Sequence, residues 1–300
     1  MSSACAANRF GLSCAIATPF TPDGEVNIDL VAAHAQSRLA AGCSSVTVFG
    51  TTGEGASLGS RNREQILFAL RGQGIDMATK VVVGVAASAI DDAIAQATQA
   101  ATFGCRRLLL APPFYFKGVG DDGLLRWFAV VLDAMQRQEQ RAILYHIPSV
   151  TDVPLSQDLI ARLKARYPGT VIGVKDSSGD WSYARDLLER HRDLVILIGD
   201  ERRLAEAVRL GAEGAISGLA NLAPEMLLPL VDAGRDDLRV AQIVDCVLKF
   251  PVVPAVKELC AHLTGNSAWR AVKPPLQPLS SGQSGELTAA FDAIMMEVTA

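Results

Sequence analysis

A chain of 300 residues that is 49% hydrophobic and 20% charged is neither a disordered protein nor a small disulfide scaffold, and it can bury a large core without staples. The 28 Lys and Arg against 32 Asp and Glu give a net charge of −4 with no basic block, so neither nucleic acid nor an anionic membrane surface is an expected partner. At this length the chain is two domains or one large barrel.

In chain order, the first predicted strand is Ser13–Ala17, followed by an Ala-rich helix over Asp29–Ala41 that stops at Gly42. Ser45–Phe49 is the second strand, and Ser60 is read as the N-cap of a helix over Arg61–Arg71. Val81–Val85 precedes a helix over Asp91–Phe103, whose acidic start suits the positive end of the helix dipole and which stops at Gly104. Strands Arg107–Leu110 and Ala142–His146 come next, then Gln157–Arg166, a helix capped by Ser156 and ending before Pro168. Val171–Val174, Leu194–Ile198 and Gly214–Ser217 complete the strands, with a helix over Glu201–Leu210 stopping at Gly211. Most of these strands are continuous apolar runs, the pattern of strands covered on both faces. Their starts lie about 20–35 residues apart, room for a helix and two loops each.

Eight strands alternating with helices fit a closed (β/α)8 TIM barrel or a doubly wound open sheet. The glycine fingerprint of a dinucleotide fold is missing after the first strand. Its nearest match, Gly53–Gly59, has one residue too many and follows the second strand. The barrel is therefore expected over residues 1–222. Helices over Ala223–Ala233, Asp236–Phe250, Val253–Leu263 and Gly285–Val298 predict a C-terminal helical extension, 223–300, packed on it. Lys273–Pro278 is too proline-rich for a regular element, and Ser280–Ser284 reads as a short polar link.

Cys5, Cys14, Cys43, Cys105, Cys246 and Cys260 form no C-x-x-C and read as small buried hydrophobes of a reducing compartment. His34, His146, His191 and His262 are scattered without metal-ligand spacing, and no metal is expected. No secretory signal is visible in MSSACAANRFG and no apolar run is long enough to span a membrane, so a cytoplasmic protein is expected.

A barrel places its active site at the C-terminal ends of its strands. Three strand ends carry unusual residues. Lys175 ends the apolar run Val171–Val174; burial there disfavours an ammonium and leaves a free amine to attack a carbonyl, although a lysine in this place can also snorkel to water. Tyr145 ends the preceding strand, where its phenol can relay protons near Lys175 or simply pack. Gly50-Thr51-Thr52-Gly53-Glu54 follows the second strand; its backbone N–H groups can face a carboxylate or phosphate, or form an ordinary turn. A lysine, a phenol and an anion cradle together suit Schiff-base chemistry on a 2-oxo acid. A non-catalytic 2-oxo-acid-binding barrel, or a phosphate-binding barrel using Gly211–Gly218, are the alternatives from other classes.

Gly50–Glu54, Tyr145–Pro148 and Gly173–Asp180, with Ala15–Phe20, Ile198–Asp200 and Gly214–Asn221, resemble in order and spacing the signatures of the dihydrodipicolinate synthase / N-acetylneuraminate lyase family. The resemblance implies a class I pyruvate-dependent lyase. Lys175 matches the lysine that forms the imine with pyruvate, and Tyr145 the proton-shuttling tyrosine. Thr51 and Thr52 match the residues that relay protons and hold the pyruvate carboxylate. Tyr115 matches a tyrosine reached across a subunit interface, and Gly199 and Ile216 match backbone positions lining the pocket. The same resemblance implies a homotetramer built as a dimer of dimers, with no cofactor beyond the covalent imine. Val150 stands where true dihydrodipicolinate synthases place an arginine for the carboxylate of aspartate semialdehyde, and valine pairs no carboxylate. The expected reaction is therefore aldol cleavage or condensation of a 2-keto-3-deoxy sugar acid. Dihydrodipicolinate synthase itself and a 2-keto-3-deoxy sugar-acid dehydratase are the alternatives within the family.

Overall fold

The computed structural model describes residues 9–296; Cys5 and the end of the C-terminal helix expected to reach Val298 lie outside the described residues. Eight parallel strands close into a barrel in sequence order: β1 (Gly11–Ala15), β2 (Ser45–Val48), β3 (Val81–Val85), β4 (Arg107–Leu110), β5 (Arg141–His146), β6 (Val171–Asp176), β7 (Val195–Ile198) and β8 (Gly214–Ser217). The chain is thus a (β/α)8 TIM barrel, as its apolar strand runs predict.

Helices cover the outside: α1 (Ile28–Ala40), α2 (Ser60–Gly72), α3 (Ile90–Thr102), α4 (Asp121–Arg137), α5 (Pro148–Thr151), α6 (Gln157–Arg166), α7 (Trp181–Arg190), α8 (Leu204–Arg209) and α9 (Pro224–Ala233). Two starts differ from expectation. Ser60 lies inside α2, and Gly59, in extended backbone at φ −70° and ψ 170°, takes the cap position. Glu201–Leu210 is not one helix: Glu201–Arg203 forms a 3-10 turn, and Asp200 caps it by accepting from Arg202 N–H. Ser156 does cap α6, accepting from Leu159 N–H at 3.0 Å.

Two apolar layers follow from strand alternation. One fills the space between sheet and helices. The other fills the barrel interior with Val82, Leu109, Ile143, Leu197 and Ile216, along with the ring of Tyr145. Beyond α9, which packs against β1 and β8, lie α10 (Leu238–Val247), α11 (Val252–Thr264) and α12 (Ser281–Met296). The polar Ser280–Ser284 segment is not a link but the start of α12. Ser280 Oγ accepts from Gln283 N–H while Gln283 Oε1 accepts from Ser280 N–H, a reciprocal capping box. The extension does not sit at a distance from the strand ends: α10 touches the Glu201 turn, where Arg202 pairs with Asp245 at 2.8 Å, and α11 touches the 3-10 turn Leu219–Asn221. Among the described residues no helix is long and apolar enough to cross a membrane.

Candidate active site

Strand register brings the lysine and the phenol together. Tyr145 and Lys175 are cross-strand partners at the ends of β5 and β6, and both point into the barrel. Their neighbours His146 and Asp176, one residue on, face the helices instead. Lys175 Nζ donates to Tyr145 Oη at 3.4 Å and lies 4.6 Å from the centre of its ring. Tyr145 Oη in turn stands 3.3 Å from Thr51 Oγ1. Lys175 and Tyr145 are 7% and 6% exposed, so the lysine does not snorkel to water, while Thr51 is exposed at the mouth. A buried amine, a phenol and a hydroxyl open to solvent thus form one chain from the barrel interior outward.

The threonine loop is shaped by tight backbone contacts. Phe49 at the end of β2 adopts φ +61° and Glu54 adopts φ +54°, both left-handed. Their turn is possible because Gly55 and Gly84 leave room: a Cβ on either would stand 1.8 or 2.3 Å from the Phe49 carbonyl oxygen. Arg63 of α2, fully buried, braces the same spot. It donates to the Gly55 and Gly84 carbonyls and stacks 4.3 Å over the Phe49 ring. Thr52 lies beside the loop after β8, since a Cβ on Gly218 would meet Thr52 Oγ1 at 3.3 Å.

Gly199 donates its N–H to the Asp176 carbonyl at 2.7 Å, and a Cβ there would collide with Ser177 Oγ. Ile216 is buried in the barrel interior on β8. Tyr115 is not brought into the lysine–phenol chain: it is 74% exposed, packed edge-on against Phe116 at 5.2 Å. Val150 on α5 is 61% exposed and places no charge at the mouth.

Several residues near the site escape a reading by motif. Glu201 is buried behind β7, where its carboxyl accepts from Ser217 Oγ at 2.6 Å. Burial pushes its pKa up, against the pull of the Ser217 hydrogen bond and the Lys175 charge. Burial likewise raises Asp176 to about 6, on the outer side of β6. His146 is held neutral by burial, its pKa lowered to about 4. Its Nδ1 accepts from Leu155 N–H at 3.0 Å, and its ring stacks on Tyr183 at 4.0 Å. It is a packed residue facing away from Lys175. Among the described residues, no group of three His, Cys, Asp or Glu side chains stands where it can hold a metal.

Asn221 ties the end of β1 to the loop after β8: it donates to the Ala15 and Gly218 carbonyls and accepts from Ala17 N–H. His34 Nε2 lies 3.0 Å from the same Asn221 oxygen, and burial lowers its pKa to about 4. The folded state therefore prefers neutral His34, while the unfolded chain protonates it near the ordinary value of about 6.5. The stability this preference lends is complete above pH 6.5 and is lost as pH falls toward 4, amounting to about 2 kcal/mol at pH 5. His34→Gln keeps an N–H donor for Asn221 and cannot titrate. It is expected to shrink the loss of stability between pH 7 and pH 5 by about that much in urea melts. An unchanged loss would show that His34 is not the group being protonated.

The strand ends of a parallel barrel, where barrel enzymes place their active sites, thus bring together a buried lysine, a phenol and a hydroxylic loop. Residues 8–294 match the Dihydrodipicolinate synthetase family, and the chain belongs to that family and is a lyase. It is 33% identical over 300 residues to an uncharacterized DapA-like lyase of Chloroflexus aurantiacus, covering 96% of this chain and 98% of that one. The crystal structure of dihydrodipicolinate synthase from Agrobacterium tumefaciens str. C58 is similar at 50% identity and a TM-score of 0.93, over 95% of this chain and 99% of that one. YagE, a prophage protein of the dihydrodipicolinic acid synthase family from E. coli K12 solved in complex with pyruvate, is similar at 25% identity and a TM-score of 0.86, over 96% and 99% of the two chains.

Proposed function

We propose that this chain forms an imine between Lys175 and pyruvate, or a related 2-oxo acid, and uses it to cleave or build a 2-keto-3-deoxy sugar acid. The contact chain Lys175–Tyr145–Thr51 carries this reading. The Lys175 amine adds to the keto carbon, a proton is taken up and water leaves, giving a protonated imine. In cleavage, a base removes the proton of the substrate's C4 hydroxyl, the C3–C4 bond breaks to release an aldehyde, and its electrons pass into the imine as an enamine. Tyr145, whose Oη stands 3.3 Å from the exposed Thr51, is the proposed carrier of that proton. The enamine then takes a proton at C3, and water releases pyruvate from Lys175. The imine is the electron sink, so the reaction asks for no metal or organic cofactor. Thr51 and Thr52 are the proposed holders of the carboxylate, with Gly199 and Ile216 lining the pocket. Neutral Val150 suits a substrate without a second carboxylate at the mouth.

One observation favours the synthase reading: Lys117 is a cation beside Val150, its Nζ donating to the Thr151 carbonyl at 2.8 Å. A dehydratase would use the same imine. Two assays separate these readings. The first measures pyruvate release from 2-keto-3-deoxy sugar acids; the second measures condensation of pyruvate with aspartate semialdehyde. Cleavage is expected to exceed condensation by at least about tenfold in kcat/KM; the reverse order would overturn the sugar-acid proposal, and water loss without aldehyde release would assign a dehydratase. Binding of pyruvate without any turnover would leave a 2-oxo-acid sensor.

The same reading gives Tyr115 a place. Tyr115, Phe116 and Val150 expose 74, 71 and 61% of their surfaces close to the barrel mouth. A second copy covering them would bury an apolar patch and bring its own Tyr115 toward this mouth, in a homotetramer built as a dimer of dimers. Sedimentation velocity on the intact chain reads the assembly; a monomer at assay concentration would remove this role.

A further inference from the structure

We propose that Lys257 of the C-terminal helical layer is a positioning residue for the threonine loop, acting through Glu54. The inference rests on the reading that this loop holds the 2-oxo acid's carboxylate. Glu54 ends the Gly50–Gly53 turn in left-handed backbone, yet its carboxylate points away from the mouth into protein. One oxygen accepts from Lys257 Nζ at 2.6 Å and the other from Lys273 N–H at 2.7 Å. Both side chains of the Lys257–Glu54 pair are fully buried. Lys257 Nζ also lies 4.4 Å over the ring of Phe20, and Lys273 Nζ lies 5.3 Å over the same ring. The loop is gripped once more from the segment after β1, where Thr18 Oγ1 donates to the Gly53 carbonyl at 2.7 Å.

An ion pair this buried is a costly way to stabilise a fold, because two charges leave water to make it. What it does supply is direction. The side chain of the left-handed Glu54 is fixed by partners on the far side, and those partners come from residues more than 200 positions away. With Lys257 removed, the carboxylate loses its cation partner and turns toward water. That change relaxes the turn and moves Thr51 and Thr52 relative to Lys175. The helical layer after the barrel thereby sets part of the geometry of the mouth.

The probe is pyruvate with sodium borohydride, which traps the imine on Lys175 for mass spectrometry. Two quantities are read: the pyruvate concentration giving half-maximal trapping, and the trapping rate at saturation. Lys257→Met is expected to raise the first by about tenfold while changing the second less than about twofold. If Lys257→Met does not fold, Glu54→Gln carries the test, since its amide presents N–H to one of two donors and loses that contact. Unchanged half-saturation in the folded variant, even with a lower melting temperature, overturns the positioning role. Absence of any trapping in the unsubstituted protein would instead overturn the imine chemistry itself.

Discussion

Lys175→Ala is expected to abolish the borohydride-trapped pyruvyl adduct and to lower turnover by about a thousandfold or more, which is about 4 kcal/mol of barrier. Among the described residues, the buried lysines are Lys175 and Lys257. Tyr145 and Thr51, which complete the contact chain, are hydroxyls rather than amines. Lys117 is bound to backbone carbonyls at the rim, and Lys257 is locked to Glu54 behind the loop. The fold itself should survive, because among the described residues Lys175 has no ion-pair partner and its backbone stays in the β6 ladder between Tyr145 and Leu197. Mass spectrometry after borohydride, with circular dichroism as the fold control, measures the effect. An adduct that persists on the alanine variant, on any other lysine, would disprove the assignment of Lys175.

The strands were legible because a barrel of this kind buries each one on both faces. Runs such as Val81–Val85 and Arg107–Leu110 therefore stand out, and their bounds coincide with β3 and β4. The lysine was legible as a charge ending an apolar run, but position alone left snorkelling to water open, and the structure buries it at 7% exposure. β6 runs two residues further than its apolar core, so Lys175 lies within the ladder, and this is what directs it inward beside Tyr145. Punctuation alone omits α4 and α7. The signals exist all the same: Leu124, Trp127, Phe128, Val131, Leu132 and Met135 repeat at helical spacing, and Asp180 caps α7 by accepting from Ser182 and Tyr183 N–H. Ser60 failed as a cap because the preceding Gly59 already supplies the extended backbone a helix start needs. The pairs Glu54–Lys257 and Glu201–Ser217 had no local pattern to reveal them. Each joins segments that only closure of the barrel and its helical layer brings together, and a polar residue in a loop looks the same whether it meets water or a buried partner.

Tyr145→Phe is expected to separate the two stages of the proposed reaction. The phenol's ring is packed in the barrel interior with Ile143 and Ile147, and phenylalanine preserves that packing while removing only the oxygen between Lys175 and Thr51. Imine formation needs the amine, whereas bond cleavage needs a proton carried between the substrate's hydroxyl and the outside. Loss of one positioned proton carrier lowers rates by about a hundredfold to ten-thousandfold. The variant is therefore expected to trap pyruvate at borohydride-detectable levels while its turnover of the preferred substrate falls within that range. This is a pattern opposite to that of Lys175→Ala, where trapping vanishes first. If Tyr145→Phe lost trapping and turnover to the same degree, the phenol would be acting on imine formation, and the proton path would have to run through Thr51 from a different donor. If turnover were unchanged, the 3.3 Å approach of Thr51 to Tyr145 would be a packing contact and not a relay.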